Sequence, residues 1–174
     1  MTDHDVFIQE IADLLLEKAK IEREKQALPP SCTIIGMDKN GHSAVAPLIG
    51  TPDFFSGHLS IKYRFPAIVR KCCQGLKTKG VTPIGIITII DIWFTYYLTP
   101  GKGEIVFEKT MPSQSPNKME ALVRRIDKKN QAIFLLTPYE SIDKKIVYSS
   151  SIQPDAQTGM AFVDLPKYLF PSDL

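Results

Sequence analysis

VTPIGIITIIDIWFTYYLT, residues 81–99, is the longest apolar run in the chain. It is rich in β-branched and aromatic residues, which fit the pleated surface of a sheet. Residues 84–90 predict a strand that is buried on both faces, and from Asp91 onward the pattern shifts toward alternation, with Asp91 and Trp93 on one side. The stretch therefore predicts a long central strand, residues 84–97, covered by helices on at least one side.

The first helix is predicted over residues 3–27, where apolar residues recur at three- and four-residue spacing. Thr2 or Asp3 can cap it, and the proline pair at 29–30 cannot continue it. The charged stretch IEREKQ, residues 21–26, is predicted to project from the helix or fray. The apolar face predicts packing on the core, and packing on a second subunit is the alternative.

The second helix is predicted over residues 60–78, although Pro66 favours a start at Phe65, and Gly80 ends it. Its polar side carries cations and no acid, so the segment 62–79 is a candidate nucleic-acid surface. The cations that would contact nucleic acid are Arg70, Lys71 and Lys77. A solvated helix face explains the same pattern, because no aromatic residues are interleaved on that face for base stacking.

The strands predict an antiparallel sheet. Residues 32–37 and 43–49 form a hairpin around Asn40–Gly41, a pair suited to a tight turn. Further strands are predicted after the central one, at residues 104–108, 120–126, 131–136, 145–151 and 159–164. Residues 165–174 are predicted to form an ordered C-terminal strap. The order predicts a single α+β domain, 1–174, with both helices on one face of a largely antiparallel meander.

The composition is that of an ordinary globular protein: 174 residues, 44% hydrophobic, 23% charged and a net charge of +2. Three cysteines give neither a disulfide framework nor a metal-ligand spacing, and a reducing cytoplasm suits them best. The acidic N-terminus does not read as a signal peptide. The apolar run at 84–98 is shorter than the roughly 20 residues of a membrane span.

Catalytic and nucleotide-binding motifs are absent from the sequence. There is no phosphate-binding glycine loop, no dinucleotide fingerprint and no nucleophile elbow. His4, His42 and His58 are scattered singly, so neither a metal nor another cofactor is predicted. The chain is interpreted as non-enzymatic, with enzymatic alternatives kept open.

One constellation could carry a function. It comprises the acid and tryptophan of the central strand and the polar loop that follows, namely Asp91, Trp93, Ser113, Pro116, Lys118 and Glu120. An acid on an apolar strand needs compensation, and Lys118, Arg124 or Arg125 could form a structural ion pair with it. Alternatively, Asp91, Glu120 and Lys118 could hold a divalent metal, as in a nuclease or hydrolase. Trp93, Ser113, Pro116 and Lys118 are the predicted binding residues.

The motif D-I-W at 91–93, followed by P-S-x-x-P-N-K-M-E-A-L-V at 112–123, resembles a group of small bacterial and phage-associated proteins of unassigned activity. Those proteins read roughly E-A-W on a central strand, then P-S-x-H-P-x-R-x-E-A-L. The resemblance covers about residues 60–135. This chain departs from it at Asp91, Ser115 and Lys118, where the group has Glu, His and Arg. The resemblance implies a shared fold and a cluster of acid, tryptophan and loop.

The leading hypothesis is therefore a cytoplasmic binding module that acts on itself, as a homodimer, or on another protein. A metal-dependent nuclease or hydrolase and a nucleic-acid-binding protein are the alternatives. No membrane partner is predicted.

Overall fold

The computed structural model describes residues 2–48, 65–98, 105–107, 118–129 and 131–153. Within these ranges lie two helices, α1 (Asp3–Arg23) and α2 (Phe65–Thr78). Seven strands accompany them: β1 (Ser31–Asp38), β2 (Ser43–Leu48), β3 (Val81–Leu98), β4 (Ile105–Phe107), β5 (Lys118–Lys128), β6 (Gln131–Ile142) and β7 (Lys145–Tyr148). The predicted α+β class is confirmed.

The strands form one antiparallel sheet in the order β2-β1-β3-β5-β6-β7, and β4 pairs with the far end of β3. The central strand is the predicted one. It pairs with β1 through residues 81–89 and with β5 through residues 86–95. From β3 onward, β5, β6 and β7 follow in chain order, which confirms the predicted meander.

The two helices lie on opposite faces of the sheet, so the prediction that both share one face is wrong. Ile35 and Ile87 pack with Ile8 of α1 in one core cluster, whereas their chain neighbours Ile34 and Ile86 pack with α2 in another. Successive side chains of a strand point to opposite faces. The apolar run in β3 is continuous because each of its faces has a helix over it.

Helix α1 begins at Asp3, directly after its N-cap residue, Thr2. Thr2 accepts a hydrogen bond from the backbone of Asp5, and the Asp5 carboxylate accepts one from the backbone of Thr2, which completes a capping box. The helix ends at Arg23, four residues before the predicted end, and a turn follows through residue 26. The charged segment at residues 21–26 is predicted to project or fray, but the Arg23 side chain in it is directed toward the sheet and is partly buried.

The predicted hairpin around Asn40–Gly41 is present and joins β1 to β2. Gly41 has a φ of +82° in the β1–β2 turn, a conformation that glycine adopts without steric cost. The β5–β6 hairpin is longer than predicted, since β5 begins at Lys118 and β6 runs to Ile142. A further hairpin joins β6 to β7, and its two turn residues, Asp143 and Lys144, both have positive φ.

Some predicted elements lie outside the described residues: the first part of the 60–78 helix, the strand at 159–164 and the strap at 165–174. Among the described helices, none is both long and apolar enough to cross a membrane.

Candidate functional site

Asp91 lies on the α1 face of β3 and is held by two side chains. Its Oδ2 accepts a hydrogen bond of 2.6 Å from Nε of Arg23, the last residue of α1. Its Oδ1 accepts a hydrogen bond of 2.6 Å from the hydroxyl of Tyr139 on β6. Both carboxylate oxygens are therefore engaged, and three separate elements meet at this acid.

Arg23 is the centre of this arrangement. Its Nε also donates to the Tyr139 hydroxyl at 2.9 Å, and its Nη2 lies 3.8 Å from Oε1 of Glu120. Although partial burial opposes it, the pKa of Arg23 is raised by Tyr139 and Asp91. Burial and the hydrogen bond to Asp91 raise the pKa of Tyr139. The guanidinium thus stays charged between two carboxylates, and the phenol stays neutral.

A second tyrosine supports the first. The rings of Tyr139 and Tyr148 meet edge to face with centroids 5.6 Å apart. The Tyr148 hydroxyl donates to the backbone carbonyl of Lys20 at 3.0 Å, near the C-terminal end of α1. Burial raises the pKa of Tyr148 to about 12, so this hydroxyl keeps its proton as well. The last turn of α1 is fastened to β3, β6 and β7 together.

The predicted ion-pair partners of Asp91 are wrong. Arg124 donates instead to Asp13 on α1. Arg125 forms a buried pair with Asp127 and lies on the opposite face of β5. Lys118 lies over the indole of Trp93, with Nζ 4.7 Å from the ring centroid. Lys118 and Arg124 share the face of Asp91 but have nearer partners, whereas strand alternation directs Arg125 away from it.

Trp93 lies two residues beyond Asp91 on the same face and pairs across the sheet with Glu120. Its side chain is 52% exposed, which makes it an aromatic surface on a regular strand. Lys118 above the ring and Glu120 beside it give this surface one charge of each sign. We call Trp93, Lys118 and Glu120 the tryptophan surface.

The other predicted site residues are either outside the described ranges or on the second helix. Ser113 and Pro116 lie outside the described residues. Arg70, Lys71 and Lys77 are on α2, across the sheet from the tryptophan surface; the first two are exposed and Lys77 is partly buried. The structure therefore brings together Asp91, Trp93, Lys118 and Glu120.

Arg23 and Tyr139 are the residues that sequence reasoning missed. Arg23 follows Leu16 and Ala19 at helical spacing on the buried face of α1, and a cation there is a sign of a carboxylate opposite. Tyr139 lies past the predicted end of its strand at residue 136. No local pattern links either residue to Asp91.

Asp91 links structural elements: its carboxylate accepts hydrogen bonds from Arg23 of α1 and from Tyr139 of β6. In the described ranges there is no group of three or more His, Cys, Asp and Glu that could hold a metal ion. A metal bound at Asp91 would compete with Arg23, whose positive charge is held beside the carboxylate. Trp93, on the same face of the sheet, is open to a ligand.

Comparison with protein-family models, with curated proteins and with solved structures gave no match. The resemblance to small bacterial and phage-associated proteins stays a prediction.

Proposed function

We propose that this protein is a non-enzymatic binding module that acts by self-association, with the tryptophan surface at the contact. The observation that carries the proposal is the half-exposed indole of Trp93 on the central strand. Tryptophan is enriched among the residues that dominate binding energies at protein interfaces. A rigid strand position also keeps the entropy cost of ordering that side chain low.

Two further apolar side chains that are more than half exposed lie on the same side of the sheet. Leu14 and Ile21 on α1 are 66% and 54% exposed, and they point away from the core that α1 covers. Scattered apolar residues are ordinary at a protein surface. Here Leu14 and Ile21 lie on the helix whose last residue, Arg23, bonds Asp91 on the same strand face as Trp93, which favours a surface that a second copy covers.

The environment of Asp91 supports a binding role over the nuclease alternative. A metal-binding acid needs lone pairs that are open to the ion, whereas both Asp91 oxygens accept hydrogen bonds from residues that fasten α1. Glu120 lies 3.8 Å from the same guanidinium. The two carboxylates share a cation that the protein itself supplies.

The test is the solution mass as a function of concentration. Light scattering coupled to size exclusion should give at least twice 19.5 kDa at micromolar concentration, and the homodimer is the simplest assembly. Trp93 is the only tryptophan, so its emission should shift to shorter wavelength as the protein associates and the indole loses water. A mass of 19.5 kDa at every concentration, with unchanged emission, would refute self-association.

Trp93→Ala supplies the matched variant. It should lower the apparent association constant without lowering the melting temperature, because the indole is exposed. Val147→Ala on β7, where the side chain is 49% exposed, is the control and should leave association unchanged.

A further inference from the structure

The outward face of α1 carries a regular stripe. Seven exposed residues recur at three- and four-residue spacing along it, and they alternate between acidic and apolar: Asp3, Val6, Glu10, Leu14, Glu17, Ile21 and Glu24. This spacing places them on one side of a helix. We call these residues the α1 stripe; it contains no cation, Lys18 and Lys25 flank it, and Lys20 forms an ion pair of 2.6 Å with Glu17.

The outward face of α2 has the opposite charge. No acid occurs between residues 65 and 80, and the exposed residues there include Arg70, Lys71 and Lys79. Between these cations the exposed positions of the helix are small or uncharged: Ala67, Gln74, Gly75 and Thr78. We call this surface the α2 face. It offers cations around a shallow surface on which large apolar side chains could rest.

The part of the chain that the structure describes gives no packing reason for a glycine at position 75. A mid-helix glycine costs about 1 kcal/mol relative to alanine. A Cβ built at Gly75 would have no atom of the described chain within 4 Å. Glycine at a helix surface permits another backbone to approach closely, and a neighbouring helix would account for it.

We propose that the α1 stripe of one copy packs on the α2 face of another copy, so that the protein associates head to tail. This inference rests on the proposed self-association and adds a pair of helix surfaces to the contact at the tryptophan surface, which lies on the same face of the sheet as α1. The acids of the stripe would face the cations of α2, while Leu14 and Ile21 would lie on the small residues around Gly75. Leu14 and Ile21 are seven residues apart, about 10 Å along the helix axis, which matches two turns of a partner helix.

The position of the helices sets the form of the assembly. Because α1 and α2 lie on opposite faces of the sheet, one contact between two copies leaves an α1 stripe and an α2 face uncovered. Such a heterologous contact continues until a ring closes or a filament grows. The mass should therefore rise beyond twice 19.5 kDa as concentration increases.

Charge reversal tests the pairing of the two surfaces. Glu10→Lys and Lys71→Glu each place like charges at the contact, because each copy presents both surfaces. Each variant alone should associate about tenfold or more weakly than wild type. An equimolar mixture should regain association, since each altered surface then meets one of opposite sign. Both side chains are exposed, so the variants should keep the melting temperature.

The controls are Glu140→Lys and Lys145→Glu, which make the same charge changes at exposed positions on β6 and β7. They should associate as wild type does, alone and mixed. The proposal is supported if Glu10→Lys and Lys71→Glu each weaken association and their mixture restores it. If the protein associates but the mixture does not recover, head-to-tail packing is wrong while self-association stands. A protein that stays monomeric refutes both.

Gly75→Ala gives an independent test. The added methyl group should raise the melting temperature by favouring the helix and should weaken association by preventing close approach. Both effects together support the proposal. A rise in melting temperature with unchanged association would overturn the contact over Gly75.

Discussion

The guanidinium of Arg23 and the carboxylate of Asp91 are joined by a hydrogen bond of 2.6 Å, although 68 residues separate them in the chain. Arg23 ends the first helix, and Asp91 lies in the middle of the central strand. Their side chains are 21% and 19% exposed. A pair that is this poorly solvated depends on its partner, because either group alone would be left charged in a site with little water.

We expect Asp91→Ala to lower the free energy of unfolding by roughly 1–3 kcal/mol, since it removes the acceptor for Arg23 and Tyr139. Arg23→Ala should have a similar effect. Urea unfolding of both single variants and the double variant gives the coupling energy. The double variant should lose less than the sum of the two single losses, because the second substitution has no partner left to remove.

The nuclease alternative makes the opposite prediction at the same residue. Removal of a metal-binding carboxylate would relieve repulsion with Glu120 and stabilise the metal-free protein. We expect millimolar magnesium or manganese to leave the melting temperature of wild type unchanged. A metal-dependent rise that Asp91→Ala and Glu120→Ala both abolish would identify a metal site instead.

Tyr139→Phe should destabilise the protein by about 1–2 kcal/mol, because the ring can stay in place while Asp91 Oδ1 loses its only hydroxyl donor among the described residues. Tyr148→Phe is the matched variant. Its hydroxyl donates to a backbone carbonyl at the end of α1, so its loss should fray the last turn of the helix. Amide hydrogen exchange near residues 20–23 would distinguish the two, with the larger increase expected for Tyr148→Phe.

Acid should weaken the N-terminal attachment of α1. Hydrogen bonds from Lys128 and from Thr2 hold the pKa of Asp5 well below its ordinary value of 3.8. A lowered pKa in the folded state means that the contribution is present above the ordinary pKa and is lost as pH falls through the folded value. The difference in melting temperature between wild type and Asp5→Asn should thus be greatest near neutral pH and shrink in strong acid. A constant difference would show that the charge of Asp5 is unimportant.

The three cysteines should differ in reactivity. Burial raises the pKa of Cys32 to about 12 and that of Cys73 to about 11, and thiols react as thiolates. Cys72 is only partly buried. An aromatic disulfide reagent at pH about 8 should modify Cys72 first. Cys32 and Cys73 should react only when denaturant unfolds the protein, and equal rates for all three thiols would contradict the packing of α2 on the sheet.

The basic helix allows a test of the nucleic-acid alternative. If Arg70, Lys71 and Lys77 bind phosphates, affinity for a short duplex should fall tenfold or more between about 50 and 200 mM salt. We expect little binding at physiological salt, because no aromatic side chain is interleaved with these cations for stacking. Submicromolar binding that their replacement by alanine abolishes would favour that alternative over self-association.

Local patterns predicted the secondary structure because their causes are local. The β-branched run at 81–99 favours a strand, Asn40–Gly41 favours a tight turn, and the spacing of apolar residues in α1 favours a helix. The same run also indicated a strand with both faces covered. The predicted placement of both helices on one face disregarded that indication.

Long-range pairing could not be predicted in the same way. Whether Asp91 meets Arg23, Lys118 or Arg124 depends on strand register and on the rotation of α1 about its axis, both of which are set by packing of the whole core. Cross-strand pairing brings Glu120 beside Trp93, and strand alternation turns Arg125 away from Asp91. The sequence by itself determined which segments are helices and strands. Only the tertiary structure decided which charges meet, because a cation finds its carboxylate through the packing of elements far apart in the chain.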